Sequence, residues 1–335
     1  MIRLLFIGDV HFRGNSPKAR TDNYPDAIKA KLRECWSIAA QNNCSAVICP
    51  GDLLDSPDPD YSVTGELAAV LKECPVPFYT CIGNHEIYCY NQSTLPRTAL
   101  GLLARIGAVN ILSRDPVVIS NEDDPSKEQV AVYITGQGYH ADIDRSQADY
   151  QTGLPKDLSA WKVHVVHGML VEKPLPYEAP HTLLRDLESD ADVVLAGHEH
   201  LGFGYVRAKN NTLCINPGAL GRVNAKIEEM YRPIQVALLT FVSDIHPVKV
   251  ELLPLECARP GSEILSREHI EHQIEREDRT ATFLSLLASE GESRFLSTQQ
   301  IVEDIARRDA LPLPVIQDSL RRFSEAREAL QGRNA

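Results

Sequence analysis

Apolar positions along the chain fall into short runs, and the period of those runs changes twice. Leu4, Leu5, Phe6 and Ile7 form an unbroken run that stops at Gly8-Asp9. A run that short, closed by a glycine and an acid, predicts a strand covered on both faces. Within residues 26–41, Ile28, Leu32, Cys35, Trp36 and Ala39 recur at helical spacing. Residues 46–49 and 78–82 repeat the strand pattern, while 66–72 and 99–106 repeat the helical one. Strand and helix in alternation predict a parallel sheet with crossover helices. After about residue 108 the helices thin out. Residues 109–112, 117–119, 130–135, 163–166, 193–196, 213–215, 236–241 and 248–253 read as strands. The economical arrangement is α/β: a second sheet packed on the first, with helices outside.

The period changes again near Leu255, and the remainder is helical. Ile270, Ile274, Phe283 and Leu287 stand among charges in residues 264–287. Ser297 and Thr298 can cap a helix holding Ile301, Val302 and Ile305, and Pro312 and Pro314 open a last helix. The pattern divides the chain into a core, residues 1–255, and a small all-helical C-terminal region, 256–335. Residues 121–128 read as an exposed loop, and 136–158, poor in apolar residues, as a loop over a site.

Charge narrows the partners. With 34 Lys and Arg against 46 Asp and Glu, the net charge is −12. Such a chain is no general binder of phosphate backbones, so a nucleic-acid contact needs a local basic patch or bound cations. No apolar stretch approaches the roughly 20 residues of a membrane helix, and the opening run is too short for a secretory signal. The eight cysteines include no CxxC pair; they read as reduced, mostly buried thiols and imply a cytoplasmic protein.

Five polar motifs follow apolar runs directly: Gly8-Asp9-Val10-His11, Gly51-Asp52-Leu53-Leu54-Asp55, Gly83-Asn84-His85-Glu86, His167-Gly168 and Gly197-His198-Glu199-His200. Each alone is more often a turn than a site. Together they take five of the chain's 11 histidines, in a series that chance turns do not supply. Carboxyl ends of strands form the ligand crevice of open α/β sheets, so these groups can converge. In extended chain, residues i and i+2 point the same way. Asp9 and His11 can then reach one ion, as can His198 and His200, whereas Asn84 and His85 diverge. A glycine before each ligand tolerates positive φ or a close backbone approach. Carboxylates, imidazoles and an amide oxygen without thiolate suit Mn²⁺, Fe²⁺ or Zn²⁺. Seven donors exceed one tetrahedral ion and fit two, about 3.5–4 Å apart, clamping a phosphoryl group.

This series resembles the calcineurin-like metallophosphoesterase superfamily, whose fold is two packed mixed sheets flanked by helices. The resemblance implies that Asp9, His11, Asp52 and His200 hold a first ion. It implies that Asp52, Asn84, His167 and His198 hold a second, with Asp52 bridging. His85 would serve the leaving oxygen, and Asp55 would orient its neighbours. Protein Ser/Thr phosphatases carry Arg where Ser56 stands here. Gly51-Asp52-Leu53-Leu54-Asp55-Ser56-Pro57 and Asn216-Pro217-Gly218-Ala219 are instead similar to SbcD-type DNA repair nuclease subunits. That branch implies a manganese-dependent DNA phosphodiesterase, with Fe, Zn or Mg as other metals. It also implies an SbcC-type coiled-coil ATPase docked on the C-terminal helices, with homodimerisation left open. The competing expectations are a small-substrate phosphoesterase acting on cyclic nucleotides or phosphomonoesters, and a metal-binding module without turnover.

Four weaker candidates remain. His164, inside a strand, reads as a core histidine, and His140, in the loop, as a group that could reach substrate. Arg13 could meet a phosphate. Arg307-Arg308 and Arg321-Arg322 read first as a solvated helix face.

Overall fold

The opening apolar run lies in the middle of a sheet. The computed structural model describes residues 1–121, 130–243, 247–268 and 311–331, with 279, 305, 306, 308 and 309. In chain order the elements begin β1 (Ile2–Phe6), α1 (Tyr24–Gln41), β2 (Ala46–Cys49), α2 (Tyr61–Lys72), β3 (Phe78–Thr80), α3 (Ala99–Arg105) and β4 (Asn110–Ile111). Next come β5 (Val117–Ser120), β6 (Ala131–Gln137), β7 (Trp161–Val166), β8 (Leu170–Val171), β9 (Thr182–Leu183), β10 (Val193–Ala196), β11 (Gly204–Arg207) and β12 (Leu213–Asn216). Then follow α4 (Ile227–Tyr231), β13 (Gln235–Phe241), β14 (Lys249–Pro254), α5 (Gly261–Ile264) and α6 (Leu313–Gln331).

Two mixed six-stranded sheets result, ordered β14-β13-β1-β2-β3-β4 and β11-β12-β10-β7-β6-β5. β1, β2, β3 and β4 pair in parallel, and β13 joins β1 antiparallel. Strand alternation explains the layers. Leu4 and Phe6 face the second sheet among Ile48, Leu239, Val163, Val165, Leu195 and Ile215. Leu5 and Ile7 face the helices with Ile28, Leu32, Trp36 and Leu67. The outer face of the second sheet, Val194, Ala196 and Cys214, is covered by Ile143, Tyr150, Leu184 and Leu187.

The chain divides into two compact units, Met1–His269 and Ile270–Ala335. In the second, α6 carries ion pairs from Arg321 and Arg322 to Asp318 at 2.6 and 2.8 Å. Those two arginines are thus spent on their own helix. Residues 297–304 of the capped helix and most of residues 264–287 lie outside the described residues, as does the loop at 122–129. α2 begins at Tyr61 rather than at residue 66: Val63 is buried in helical period with Leu67, Val70 and Leu71, one turn before the start expected from the sequence. β8, β9 and α4 are too short to leave a periodic trace. β3 stops at Thr80, and Cys81 and Ile82 then lead the chain out of the ladder towards Gly83–Glu86.

A charged cluster is buried beside the loop after β12. Arg232 donates from Nε to Glu229 Oε2 and from its Nη atoms to the carbonyls of Ala219 and Gly221, at 2.7–3.1 Å. Lys31 Nζ donates to Leu220 O at 2.6 Å. Facing these cations, the loop turns its N–H groups the other way: Ala219 N donates to His200 O and Leu220 N to Asp9 O. Burial, and then the nearby Arg20, Arg222 and Arg232, bring Lys31 down to about 7. The unfolded chain therefore holds a proton that the fold lacks from there up to the ordinary lysine value, and this contribution to stability rises with pH across that window. Urea unfolding at pH 7 and 9 should show the wild type gaining on Lys31→Met as pH rises, by at most about 1.4 kcal/mol per pH unit. A gap that stays constant would mean that Lys31 is charged in the fold throughout.

Candidate metal centre

All five motifs leave the carboxyl ends of β1, β2, β3, β7 and β10, so their side chains share one rim of the sandwich. The loops are laced together by backbone. Val10 N and His11 N both donate to Asp52 O, at 3.0 and 2.8 Å. His198 N donates to Asp9 Oδ2 at 2.9 Å, and His85 N to Asp52 Oδ1 at 3.0 Å. Asn216 Nδ2 donates to Glu199 O at 2.8 Å, bracing the last ligand loop from β12.

Two donor clusters meet at Asp52. Asp9, His11, Asp52 and His200 bring one ligand atom each within 4.8 Å of one another, and so do Asp52, His167 and His198. Asn84 joins the second, with Oδ1 at 3.1 Å from His167 Nε2. His167 Nδ1 is 3.2 Å from Pro50 O, which fixes its tautomer and turns Nε2 inwards. His11 Nε2 lies 2.9 Å from His200 Nε2. A third group, His11, Asp55 and His85, adjoins these. There His85 Nδ1 is 3.1 Å from Asp55 O, and Arg13 holds Asp55 Oδ2 at 2.9 Å.

Cations fit this geometry. Asp9 Oδ1 and Asp52 Oδ2 are buried without a hydrogen-bond donor. Buried carboxylate oxygens are costly unless something charged faces them. Burial raises the Asp9 pKa, with Asp52 adding to it. At Asp52 burial pushes up, but His167 and His11 overcome it and the carboxyl falls well below its usual range. Burial opposes protonation of His167, yet Asp52 lifts it to about 9. His198 is pushed down to about 3 by burial and by His167, and His200 also falls, through burial and His11. His198 and His200 are thus neutral, with lone pairs ready to ligate. Burial lowers His11 as well, but Asp55, Asp52 and Asp9 outweigh it and raise the ring.

Strain concentrates here. His11, Asp52 and His198 have φ of 49°, 50° and 71°, in the left-handed region. Such conformations persist only where the surroundings impose them, and they cluster at functional sites. The extended-chain expectation holds for Asp9 and His11, which share a cluster, and fails for the other pair: His198 turns to Asp52 and His167, while His200 joins Asp9 and His11. Of the preceding glycines, only Gly51 takes positive φ, at 127°. Gly83 serves close approach instead, since a Cβ there would stand 2.0 Å from Asp52 Oδ1.

The remaining candidates separate. His164 is buried in β7 between Thr135 Oγ1, at 2.8 Å, and Asp149 O, at 2.9 Å, a satisfied core histidine. His140 is held by Asp149 Oδ1 at 3.0 Å; from that loop it is Tyr139 whose ring reaches His198. Glu86 was not legible as a brace. It is fully buried and accepts from Leu53 N, Leu54 N and Gly83 N at 2.8–3.2 Å, tying two ligand loops together. Burial and the Asp52 charge raise it to about 7. Glu86 is an acid three residues after a glycine in a motif without an apolar partner, and nothing local distinguishes that role.

A two-sheet sandwich with a shared carboxylate between two His/Asp clusters defines a metal-dependent phosphoester hydrolase. The calcineurin-like phosphoesterase family model matches residues 2–202, and the chain belongs to that family. The DNA double-strand break repair protein Mre11 of Haloferax volcanii is 30% identical over 207 residues, which cover 60% of this chain and 42% of that protein. The Mre11 of Methanosarcina mazei is 26% identical over 204 residues, 59% of this chain and 30% of that one. The matched region thus spans less than half the length of these curated relatives. Among solved structures, purple acid phosphatase PPD1 from yellow lupin aligns with a TM-score of 0.45 at 15% identity, covering 78% of this chain and 52% of that one.

Proposed function

We propose that this chain is a manganese-dependent phosphodiesterase that hydrolyses DNA, the nuclease subunit of a repair complex. The observation that carries it is the Asp52 carboxylate standing in both donor clusters, in a chain whose curated relatives are Mre11 proteins. In this reading Asp9, His11, Asp52 and His200 hold one ion, and Asp52, Asn84, His167 and His198 the other. When bound, the ions supply a hydroxide at neutral pH and neutralise the charge on a phosphate. The side chains do the rest. His11 and His167 would present ring nitrogens to the ions, His167 with its Nδ1 turned to the Pro50 carbonyl. His85 is oriented by the Asp55 carbonyl at Nδ1, so that Nε2 is the nitrogen that faces a departing oxygen. Arg13 keeps Asp55 in place. Neither Ser nor Cys is needed as nucleophile: Cys49, two residues before Gly51, is buried and pushed well up by that burial.

We assign catalysis to residues 1–255 and docking to 256–335, on an SbcC-type coiled-coil ATPase, with a homodimer as a further assembly to test. α6 suits docking because Leu313 and Val315 are 68% and 47% exposed. Eight free thiols suit a reducing, cytoplasmic setting, and among the described residues no helix is long and apolar enough to cross a membrane. A substrate panel with Mn²⁺ tests the assignment: single- and double-stranded oligodeoxynucleotides, bis-p-nitrophenyl phosphate, p-nitrophenyl phosphate and cyclic nucleotides. Oligonucleotide cleavage is expected to lead. Turnover confined to a cyclic nucleotide or a phosphomonoester, which the −12 charge would suit, replaces DNA as substrate.

A further inference from the structure

Two tyrosines form a wall beside the second donor cluster. The Tyr139 ring centroid lies 5.3 Å from that of His198 and 6.1 Å from that of His167. The Tyr90 ring is 5.4 Å from Tyr139, tilted by 56°. These rings are not core. Tyr90 is 53% exposed, and Tyr139 is partly exposed. Yet the wall is rigidly built. Tyr139 N donates to Ile82 O at 2.8 Å. Gln92 Nε2 donates to both Gly138 O and Tyr139 O at 2.9 Å, fastening the Tyr139 loop to the segment that carries Tyr90. Cys89 and Tyr90 take φ of 50° and 57°, consecutive left-handed residues outside glycine, a strain that marks functional segments.

We propose that Tyr90 and Tyr139 are a stacking shelf for the nucleobase attached to the phosphate that the donor clusters receive. The inference rests on the reading of those clusters as a phosphate site and deepens it, since an inorganic phosphate has no face to lay on these rings and the flat π-face of a base suits them better than a sugar does. Net charge supports the same choice. At −12 the chain is acidic on balance, which disfavours holding a strand by charge alone. Base stacking is the sequence-tolerant way to gain affinity by other means.

Calorimetric titration of the Mn²⁺-loaded full chain tests the shelf without any turnover. The probes are dAMP and 2-deoxyribose 5-phosphate, which share sugar and phosphate and differ in the base. Wild type is expected to bind dAMP about 5-fold more tightly or better, the low end of what stacking one base contributes. Tyr90→Ala should remove most of that preference and leave deoxyribose 5-phosphate affinity unchanged, while Tyr90→Phe should retain it. Equal affinities in wild type, or a Tyr90→Ala protein with the full preference, overturn the shelf. Oligodeoxynucleotide cleavage is followed in parallel. Base preference without cleavage keeps the shelf and removes the nuclease assignment, and cleavage without base preference does the reverse.

Discussion

Replacing Asp52 by asparagine is expected to abolish metal-dependent hydrolysis, by roughly 10³-fold or more. Asp52 is the one residue shared by both four-donor sets, so its charge serves both ions at once. Asparagine keeps the shape and keeps an oxygen for the His85 N–H, but it removes the anion. Losing the charge stabilisation of a metal site costs several kcal/mol, and each 1.4 kcal/mol is about one decade in rate. Metal analysis after dialysis should find fewer than two Mn²⁺ per chain where wild type holds two. Folding of the metal-free protein is expected to lose stability as well, because His167 and His11 hold the Asp52 carboxyl well below its usual range, so its charge supports the fold at neutral pH. Relief of the like charge beside Asp9 offsets only part of that. Two retained ions with a rate within tenfold of wild type would remove Asp52 from the bridging role.

The layers of the fold were legible because they follow from periodicity alone. β1 is apolar at successive positions since Leu4 and Phe6 face one core and Leu5 and Ile7 another. β11 was not legible. It is an edge strand with Gly204 at its start and with Tyr205 exposed, so burial imposes no pattern on it. The motif residues could be picked out by their position after strands. How they divide between clusters could not be derived from spacing, since the φ of His198, 71°, is imposed by the loops around it. The same holds for Glu86 and for the Tyr90–Tyr139 pair, whose roles exist only once distant loops meet. Local sequence carries propensity and pattern, whereas these features are set by tertiary contact.

His85→Ala is expected to lower kcat by about 10²–10⁴-fold, the usual contribution of a positioned general acid or base, while both Mn²⁺ ions remain bound. The separation of effects follows from geometry. His85 belongs to neither of the clusters that meet at Asp52; it sits in the adjoining group with His11 and Asp55, its ring centroid 4.8 Å from that of His11. It also contributes to the Asp52 loop through its backbone N–H, which alanine retains. The loss should depend on the leaving group. A deoxynucleoside oxygen needs a proton as it departs, so oligonucleotide cleavage should fall steeply. The p-nitrophenolate released from bis-p-nitrophenyl phosphate is stable as an anion and needs little help, so that rate should fall far less. If both substrates lose the same factor, His85 supports the site by position or charge and does not protonate the leaving oxygen. If metal content falls alongside, the ring belongs with the ligands. A large loss on DNA, a small loss on the activated diester and two ions retained together identify His85 Nε2 as the group that serves the leaving oxygen, on a ring oriented through Nδ1 by the Asp55 carbonyl.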